Sequence, residues 1–405
     1  MIILTAIFLA NAIAVVLLVG LTLSFHRLMK PAEKAGLPDA ELPFVSVIVP
    51  ARNEELYIER CLRSLASQDY PKLEIIVFDD QSTDATAEIV ARVAQEHRSI
   101  TLVQGREPPP PGWKGKCNAL RQAVQHASGE WFFFTDADAQ HSPSSLRDGM
   151  ACALRGKAKF LSLWPRQEVS SFGEKVVMPV VWGMFCWGDP FLTVNNSAWD
   201  TAYAAGMYIL VERQAYLSVG GHESVKNSLI DDHDLAKTFK YKALPVLIAD
   251  GKHLYQSRMY TGWKALWNGW TRSLYPVMGY SNLALLIMFL CVNALFVMPF
   301  AELLALGTFW AAGSQLENLG ALLALVVVQL VAVVIWWLDM AACFQGLGLA
   351  YILLVPLGGF ILSLLLLNSA YKTWTGGSVE WKDRDLLARI PGERPMPPRR
   401  ARRSS

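Results

Sequence analysis

Apolar and polar positions fall into three rhythms along the chain. Residues 1–25, Met1 to Phe25, are almost wholly apolar, enough to cross roughly 30 Å of hydrocarbon as a helix. Residues 44–250 alternate between short apolar runs and helical stretches. Val45–Val49, Glu74–Phe78, Trp131–Thr135, Phe160–Leu163 and Met207–Val211 are predicted strands, with helices over Glu55–Ser67 and Ala85–His97. Such alternation implies βαβ units and a mainly parallel sheet, whose ligands bind beyond the C-terminal strand ends. From Ser281 to Tyr371 the chain is again apolar, in runs over 281–313, 319–344 and 349–371. The first exceeds one span and holds Pro299 and Glu302, so it is one tilted helix or a tight pair. Just before it, Trp263, Leu266, Trp267, Trp270 and Leu274 recur at helical spacing. A Trp-rich amphipathic helix beside a span is expected to lie in the membrane interface. Val176 to Phe191, with Trp182, Phe185 and Trp187, is a second such element, and together they could admit a lipid.

Composition supports this division. The 405 residues are 53% hydrophobic and 18% charged, more apolar than an ordinary soluble domain. A net charge of +2 does not argue for nucleic acid. Six cysteines form no CxxC pair, so neither a disulfide framework nor a zinc site is implied. His26, Arg27, Lys30 and Lys34 follow the first apolar run and no basic residue precedes it. That bias puts its C-terminal end in the cytoplasm and lacks the charge placement of a cleaved signal peptide. Arg399, Arg400, Arg402 and Arg403 form a basic tail, which favours a cytoplasmic C-terminus. An even number of later spans is then required, yet three apolar runs are present. The layout is a first membrane helix (1–25), a catalytic domain (44–275), C-terminal spans (281–371) and a tail (372–405). Within the domain, a donor half (44–140) and an acceptor half (141–260) precede the interface helix (261–280).

Candidate chemistry collects at the strand ends. The first strand leads into Pro50-Ala51-Arg52-Asn53-Glu54-Glu55, the second into Asp79-Asp80-Gln81-Ser82-Thr83-Asp84. One residue of Ser82, Thr83 or Asp84 is expected to cap the next helix. Two adjacent acids at a strand end repel one another, and binding base and ribose hydroxyls would account for them. Pro108 to Pro111 leads to Gly112-Trp113-Lys114-Gly115-Lys116, a stiff approach to a loop whose Lys116 can meet a diphosphate. Trp131-Phe132-Phe133-Phe134 ends in Thr135-Asp136-Ala137-Asp138. Two carboxylates one residue apart suit Mg²⁺ or Mn²⁺ held together with substrate phosphates.

The ordered set PARNE, DDQSTD, GWKGK and DAD resembles the family-two glycosyltransferases of GT-A type fold, over residues 44 to about 275. The resemblance implies a Rossmann-like α/β nucleotide-binding domain with membrane helices at both ends. It implies that Pro50, Arg52, Glu54, Asp79 and Asp80 line the nucleotide site and that Lys116 lies near the diphosphate. Asp136 would face the ribose and, with Asp138, the metal. Within Ile230-Asp231-Asp232-His233-Asp234-Leu235, Asp232 takes the place of the family's catalytic base; an acid-rich helix N-terminus is the plainer account of the run. Gly206-Met207-Tyr208 through Gly220-Gly221-His222-Glu223 is similar to the acceptor half, with His222 structural. Processive members carry QxxRW. Here Gln256-Ser257-Arg258-Met259-Tyr260 is followed by Gly269-Trp270-Thr271-Arg272, a pattern more like enzymes that glycosylate membrane isoprenoids. Arg258 or Arg272 would face the leaving diphosphate. The implied function is inverting transfer of a hexosyl group, from a nucleotide-sugar of UDP-glucose type to a membrane lipid or isoprenoid, by a multi-pass inner-membrane protein with a cytoplasmic catalytic domain. A processive polysaccharide synthase and a catalytically inactive nucleotide-sugar-binding scaffold are the alternatives.

Overall fold

The computed structural model describes residues 2–32, 37–187, 191–313, 318–376, 380–381 and 384–385; Lys34 and the four-arginine tail lie outside them. In chain order the elements are α1 (Ile2–Leu28), β1 (Val45–Ala51), α2 (Ile58–Ala66), β2 (Leu73–Asp79), α3 (Thr86–Glu96), β3 (Ile100–Gln104), α4 (Gly115–Val124), β4 (Trp131–Phe134), β5 (Ala139–His141), α5 (Ser145–Arg155), β6 (Phe160–Trp164), β7 (Arg166–Glu168) and α6 (Phe172–Phe185). Then come α7 (Phe191–Val194), β8 (Ile209–Glu212), α8 (Arg213–Ser218), α9 (Asp231–Tyr241), β9 (Val246–Asp250), β10 (Tyr255–Ser257), α10 (Gly262–Val277), α11 (Asn282–Phe296), α12 (Met298–Ala311), α13 (Leu319–Ala341), β11 (Phe344–Gln345) and α14 (Val355–Thr375).

Seven strands form one sheet in the order β3-β2-β1-β4-β8-β6-β9. β1 pairs in parallel with β2 and β4, β2 with β3, and β6 with β9; β8 alone runs against its neighbours β4 and β6. The expected mainly parallel α/β sheet is therefore present. β3 and β9, which the apolar pattern did not single out, close its two edges. Both faces of the sheet are covered, which is why β1 and β4 are almost continuously apolar. Along β4 the side chains alternate: Phe132 and Phe134 join a core shared with the membrane helices, Trp131 and Phe133 a second core under α2 and α5. A small second sheet, β11-β7-β10-β5, ties the chain after α13 back onto the domain.

In the C-terminal half the first apolar run takes the second of its two expected forms. The run 281–313 is a pair, α11 and α12, bent by 51°, with Pro299 in the first turn of α12, where proline starts a helix rather than continues one. By length and composition α1, α13 and the segment Leu349–Thr375 each suffice to cross a membrane. The Trp-rich face of α10 is not free for lipid: Leu266, Trp270 and Leu274 are buried, in a core shared with α6 and α14. The amphipathic spacing is real, but protein covers that face, and Trp263 alone of those five is exposed. Likewise Trp182 lies buried rather than in the interface.

Candidate active site

One cavity of about 290 Å³ opens where the sheet meets α6 and α10. Its polar side is made by the loops leaving β1, β2 and β4. Those loops are stitched to one another: Asn53 N donates to Ser82 Oγ at 3.0 Å and Thr83 N to Asn53 Oδ1 at 2.8 Å. Asn53 and Gln81 hold left-handed φ angles of 52° and 60°, strain that surrounding bonds must over-determine. Arg52 Nη1 donates to the carbonyls of Asp80 at 2.6 Å and Gln81 at 3.0 Å, so it braces the β2 loop that carries the acids. Ala85 is the N-cap of α3 and makes no side-chain cap; Asp84, one residue before it, accepts from Thr86 N at 3.0 Å through Oδ1, and the bonds from Thr86 hold its carboxyl low against the opposing effect of burial.

Pro50, Arg52, Glu54, Asp80, Lys116, Asp136, Asp138, Asp232 and Arg272 all line this cavity. The folded chain thus brings together residues spread over more than two hundred positions. Two sequence-derived candidates are not brought in. The carboxylate of Asp79, the last residue of β2, turns back to accept from Ser82 N at 3.3 Å; Asp80, the first residue beyond the strand, lines the cavity. Arg258 points to α6, where it donates to Glu174 through Nε and Nη2, each at 3.1 Å. Glu174 also accepts from the backbone of Ser170 and Gly262. Burial opposes its charge, yet these partners hold it down at about 2. Arg258 therefore fastens the segment after β10 to α6, and Glu174 joins both to the start of α10, while Arg272 faces the cavity.

Lys116 is the electrostatic centre. Its ammonium lies 2.8 Å from Asp136 Oδ1. Desolvation works against its charge, but Asp136, Asp231 and Asp232 raise its pKa overall. Asp232, at the start of α9, accepts from Gly206 N and His233 N, both at 2.8 Å. A Cβ on Gly206 would stand 3.0 Å from Asp232 Oδ2 and 3.3 Å from Lys116 Nζ, so glycine is what lets this backbone donor approach. Desolvation, then the charge of Asp231, push the Asp232 carboxyl up to about 7. Asp231 shares the cavity, whereas Asp234 is not in its lining and is bound by Ser228 Oγ at 2.6 Å. His222 is buried on Tyr216, 2.8 Å from its hydroxyl, and burial pushes it down to about 4, as a structural histidine.

The facing wall is aromatic: Trp164, Trp182, Phe185, Tyr203, Tyr260 and Trp270. Phe185 packs on Trp270 with ring centroids 5.7 Å apart. Trp164 and Tyr203 carried no sequence signal for this role, because they lie in segments that approach only through the sheet and α6. For a divalent cation, Asp136 and Asp138 present two carboxylates to the same cavity. Among the described residues no group of three or more His, Cys, Asp and Glu is arranged to hold a metal. The two acids fit a cation completed by substrate phosphates, rather than an all-protein cage.

Comparison with known proteins places this geometry. Residues 46–216 match the model for "Glycosyl transferase family 2". Its α/β fold, of GT-A type, is shared with mannosyltransferase PcManGT from Pyrobaculum calidifontis, solved with GDP-Man and Mn²⁺. That structure aligns with a TM-score of 0.55 at 22% identity, over 91% of this chain and 98% of its own. The chain is also 31% identical over 238 residues to the 4,4'-diaponeurosporenoate glycosyltransferase of Staphylococcus aureus strain USA300, covering 57% of this chain and 60% of the relative. The strain MRSA252 protein matches over the same length at the same identity. The alignment thus spans well under two thirds of these curated relatives.

Proposed function

We propose that this protein is an inverting glycosyltransferase that moves a hexosyl group from a nucleotide-sugar, of UDP-glucose type, to an apolar membrane lipid of isoprenoid kind at the cytoplasmic membrane face. The observation that carries the proposal is the two-sided cavity: carboxylates and Lys116 on one wall, six aromatic rings on the other. The relative's diaponeurosporenoate is consistent with such an acceptor.

In this reading Asp80, Glu54 and the braced β2 loop receive the nucleotide, and Lys116 meets the diphosphate. Asp136 and Asp138 would hold Mg²⁺ or Mn²⁺, which supplies positive charge against the leaving diphosphate when bound. Asp232 accepts the proton of the acceptor hydroxyl as that oxygen attacks the anomeric carbon from the face opposite the leaving group. A base poised near 7 suits this task at neutral pH. Arg272 stands by the departing diphosphate. Arg258, where processive enzymes carry QxxRW, is engaged with Glu174, which favours single transfer over polymer synthesis. Asp80, Asp136, Asp138 and Asp232 gathered in one cavity disfavour an inactive scaffold. The test is to incubate membranes holding the protein with a panel of radiolabelled nucleotide-sugars and to identify the labelled product. A labelled lipid carrying one sugar is expected; a polymer, or no transfer from any donor, overturns the proposal.

A further inference from the structure

We infer that α14, although long and apolar enough to span a bilayer, does not cross it. It lies along the membrane interface beneath the catalytic domain; α1 and α13, each long enough to cross alone, and the shorter α12 between them carry the chain through the bilayer. The inference rests on the membrane placement proposed above.

Contacts mark which end of each helix faces the domain. At the near end of α1, Phe25 meets Trp164 of β6 edge-on at 5.2 Å. At its far end Phe8 packs with Leu306 of α12 and Leu322 of α13. α13 runs back towards the domain, where its Asp339 pairs with His26 and the following β11 joins β7. α12 begins near the domain: Phe296, just before it, stacks on Trp187 at 5.5 Å, and Trp187 Nε1 donates to Thr22 of α1 at 3.0 Å. These three helices each have one end at the domain and one far from it.

α14 has both ends at the domain. Its 21 residues reach about 30 Å as a helix, so a crossing would carry one end to the far side. In its first turns Gly358 abuts the carbonyl of Val176 on α6, and Gly359 abuts Phe296. In its last turns Asn368 Nδ2 donates to Thr271 Oγ1 at 2.9 Å, Tyr275 N donates to Ser369 Oγ at 3.0 Å, and Trp374 Nε1 donates to Tyr275 Oη at 3.2 Å. Thr271 and Tyr275 belong to α10, whose Arg272, Ser273 and Val277 line the cavity.

One face of α14 is buried against α6, α10 and α11, and the other is an exposed apolar stripe of Phe360, Leu364, Leu367, Tyr371 and Trp374. α11 repeats the arrangement. It starts at Asn282, whose Oδ1 accepts from Tyr275 Oη at 2.6 Å, and exposes Leu283, Leu286, Ile287 and Leu290. A helix with one face on protein and one apolar face outward, ending in Tyr and Trp, fits the boundary between headgroups and acyl chains. The occupant of the stripe is therefore the lipid surface, continuous with the lipid around α1 and α13. Two crossings after α1 also satisfy the even count that a cytoplasmic C-terminus requires. The aromatic wall of the cavity then stands directly above the leaflet, and a long apolar acceptor reaches it without leaving the bilayer.

The test uses the full chain in nanodiscs of phosphatidylethanolamine and phosphatidylglycerol. A nitroxide-bearing amino acid is placed singly at positions 360, 364, 367 and 371, and its depth is read by paramagnetic accessibility. All four depths are expected to be shallow and to agree within about one helical turn, roughly 5 Å. Depths that change steadily by about 1.5 Å per residue through the bilayer centre, or labels in water, overturn the inference. A fluorescent reporter on the C-terminus of the full chain, with impermeant labelling of the Lys114 loop, supplies the second reading. Reporter and loop are expected on the same side of the membrane, and opposite sides overturn the inference. If both lie outside the cell, the proposed orientation fails while the placement of α14 stands.

Discussion

The two walls of the cavity are built in opposite ways. The polar wall takes Asp80, Asp136 and Asp138 from turns next to β2, β4 and β5 and Lys116 from the first turn of α4, each within a few residues of its motif partners. The aromatic wall takes Trp164 from β6, Trp182 and Phe185 from α6, Tyr203 from a loop and Trp270 from α10. Adjacent acids at a strand end, beyond what helix capping uses, point to a ligand, so the polar wall announces itself locally. An aromatic ring is equally at home in a core, a lipid interface or a binding wall, and only its neighbours decide. The same contrast separates the two arginines: Arg272 faces the cavity, whereas Arg258 is absorbed by Glu174, which no local motif links to it.

The comparison can be broken at the polar wall first. Removing divalent cations with a chelator is expected to abolish transfer, and adding Mg²⁺ or Mn²⁺ to restore it; full activity in chelator removes the metal from Asp136 and Asp138. Asp232→Asn is next, with transfer falling about 10²–10⁴-fold while the donor dissociation constant, measured by calorimetry, changes little. Asp136→Asn should instead weaken donor binding itself. If Asp231→Asn or Asp234→Asn proves the damaging change and Asp232→Asn does not, the base has been misassigned.

The arginines sharpen the contrast. Arg272→Ala should cost about 10²-fold in kcat, the usual loss for one donor to developing charge, with little effect on Tm. Arg258→Ala should do the reverse, lowering Tm by stranding the buried carboxylate of Glu174, a cost of about 3 kcal/mol. A kcat defect without a stability defect in Arg258→Ala would return that residue to the site.

Dependence on pH is a milder probe. Asp232 must be ionised to accept a proton, and its pKa is raised to about 7. The transfer rate should therefore fall about tenfold per unit as pH drops below 7 and level off above it. A rate flat from pH 5 to 8 excludes a base with this titration. The smallest expected effect belongs to the aromatic wall. Phe185→Ala should raise the acceptor KM about tenfold, the loss of one ring's burial, leaving donor affinity unchanged. An equal loss in both would show that the walls are not separate.

Much was legible from residue order alone: the α/β domain, an N-terminal helix long and apolar enough to cross a membrane, the pair Asp136 and Asp138 in the cavity lining, and Asp232 in the acid-rich first turn of α9. These signals are local, because strand alternation, capping and adjacent like charges act within a few residues. The tertiary structure decided the rest. β3 and β9 were missed because edge strands of five residues carry little periodicity. Asp79 was grouped with Asp80, although β2 ends at Asp79 and only Asp80, in the turn that follows, joins the cavity lining. The Trp-rich face of α10 and the apolar run of α14 were both assigned to membrane on composition. Hydropathy measures what a helix can contact, not which of its faces a neighbouring helix already occupies. Burial of Trp270 and Leu274 in a core shared with α6 and α14, and the return of both ends of α14 to the catalytic domain, are facts of long-range packing that no local window contains.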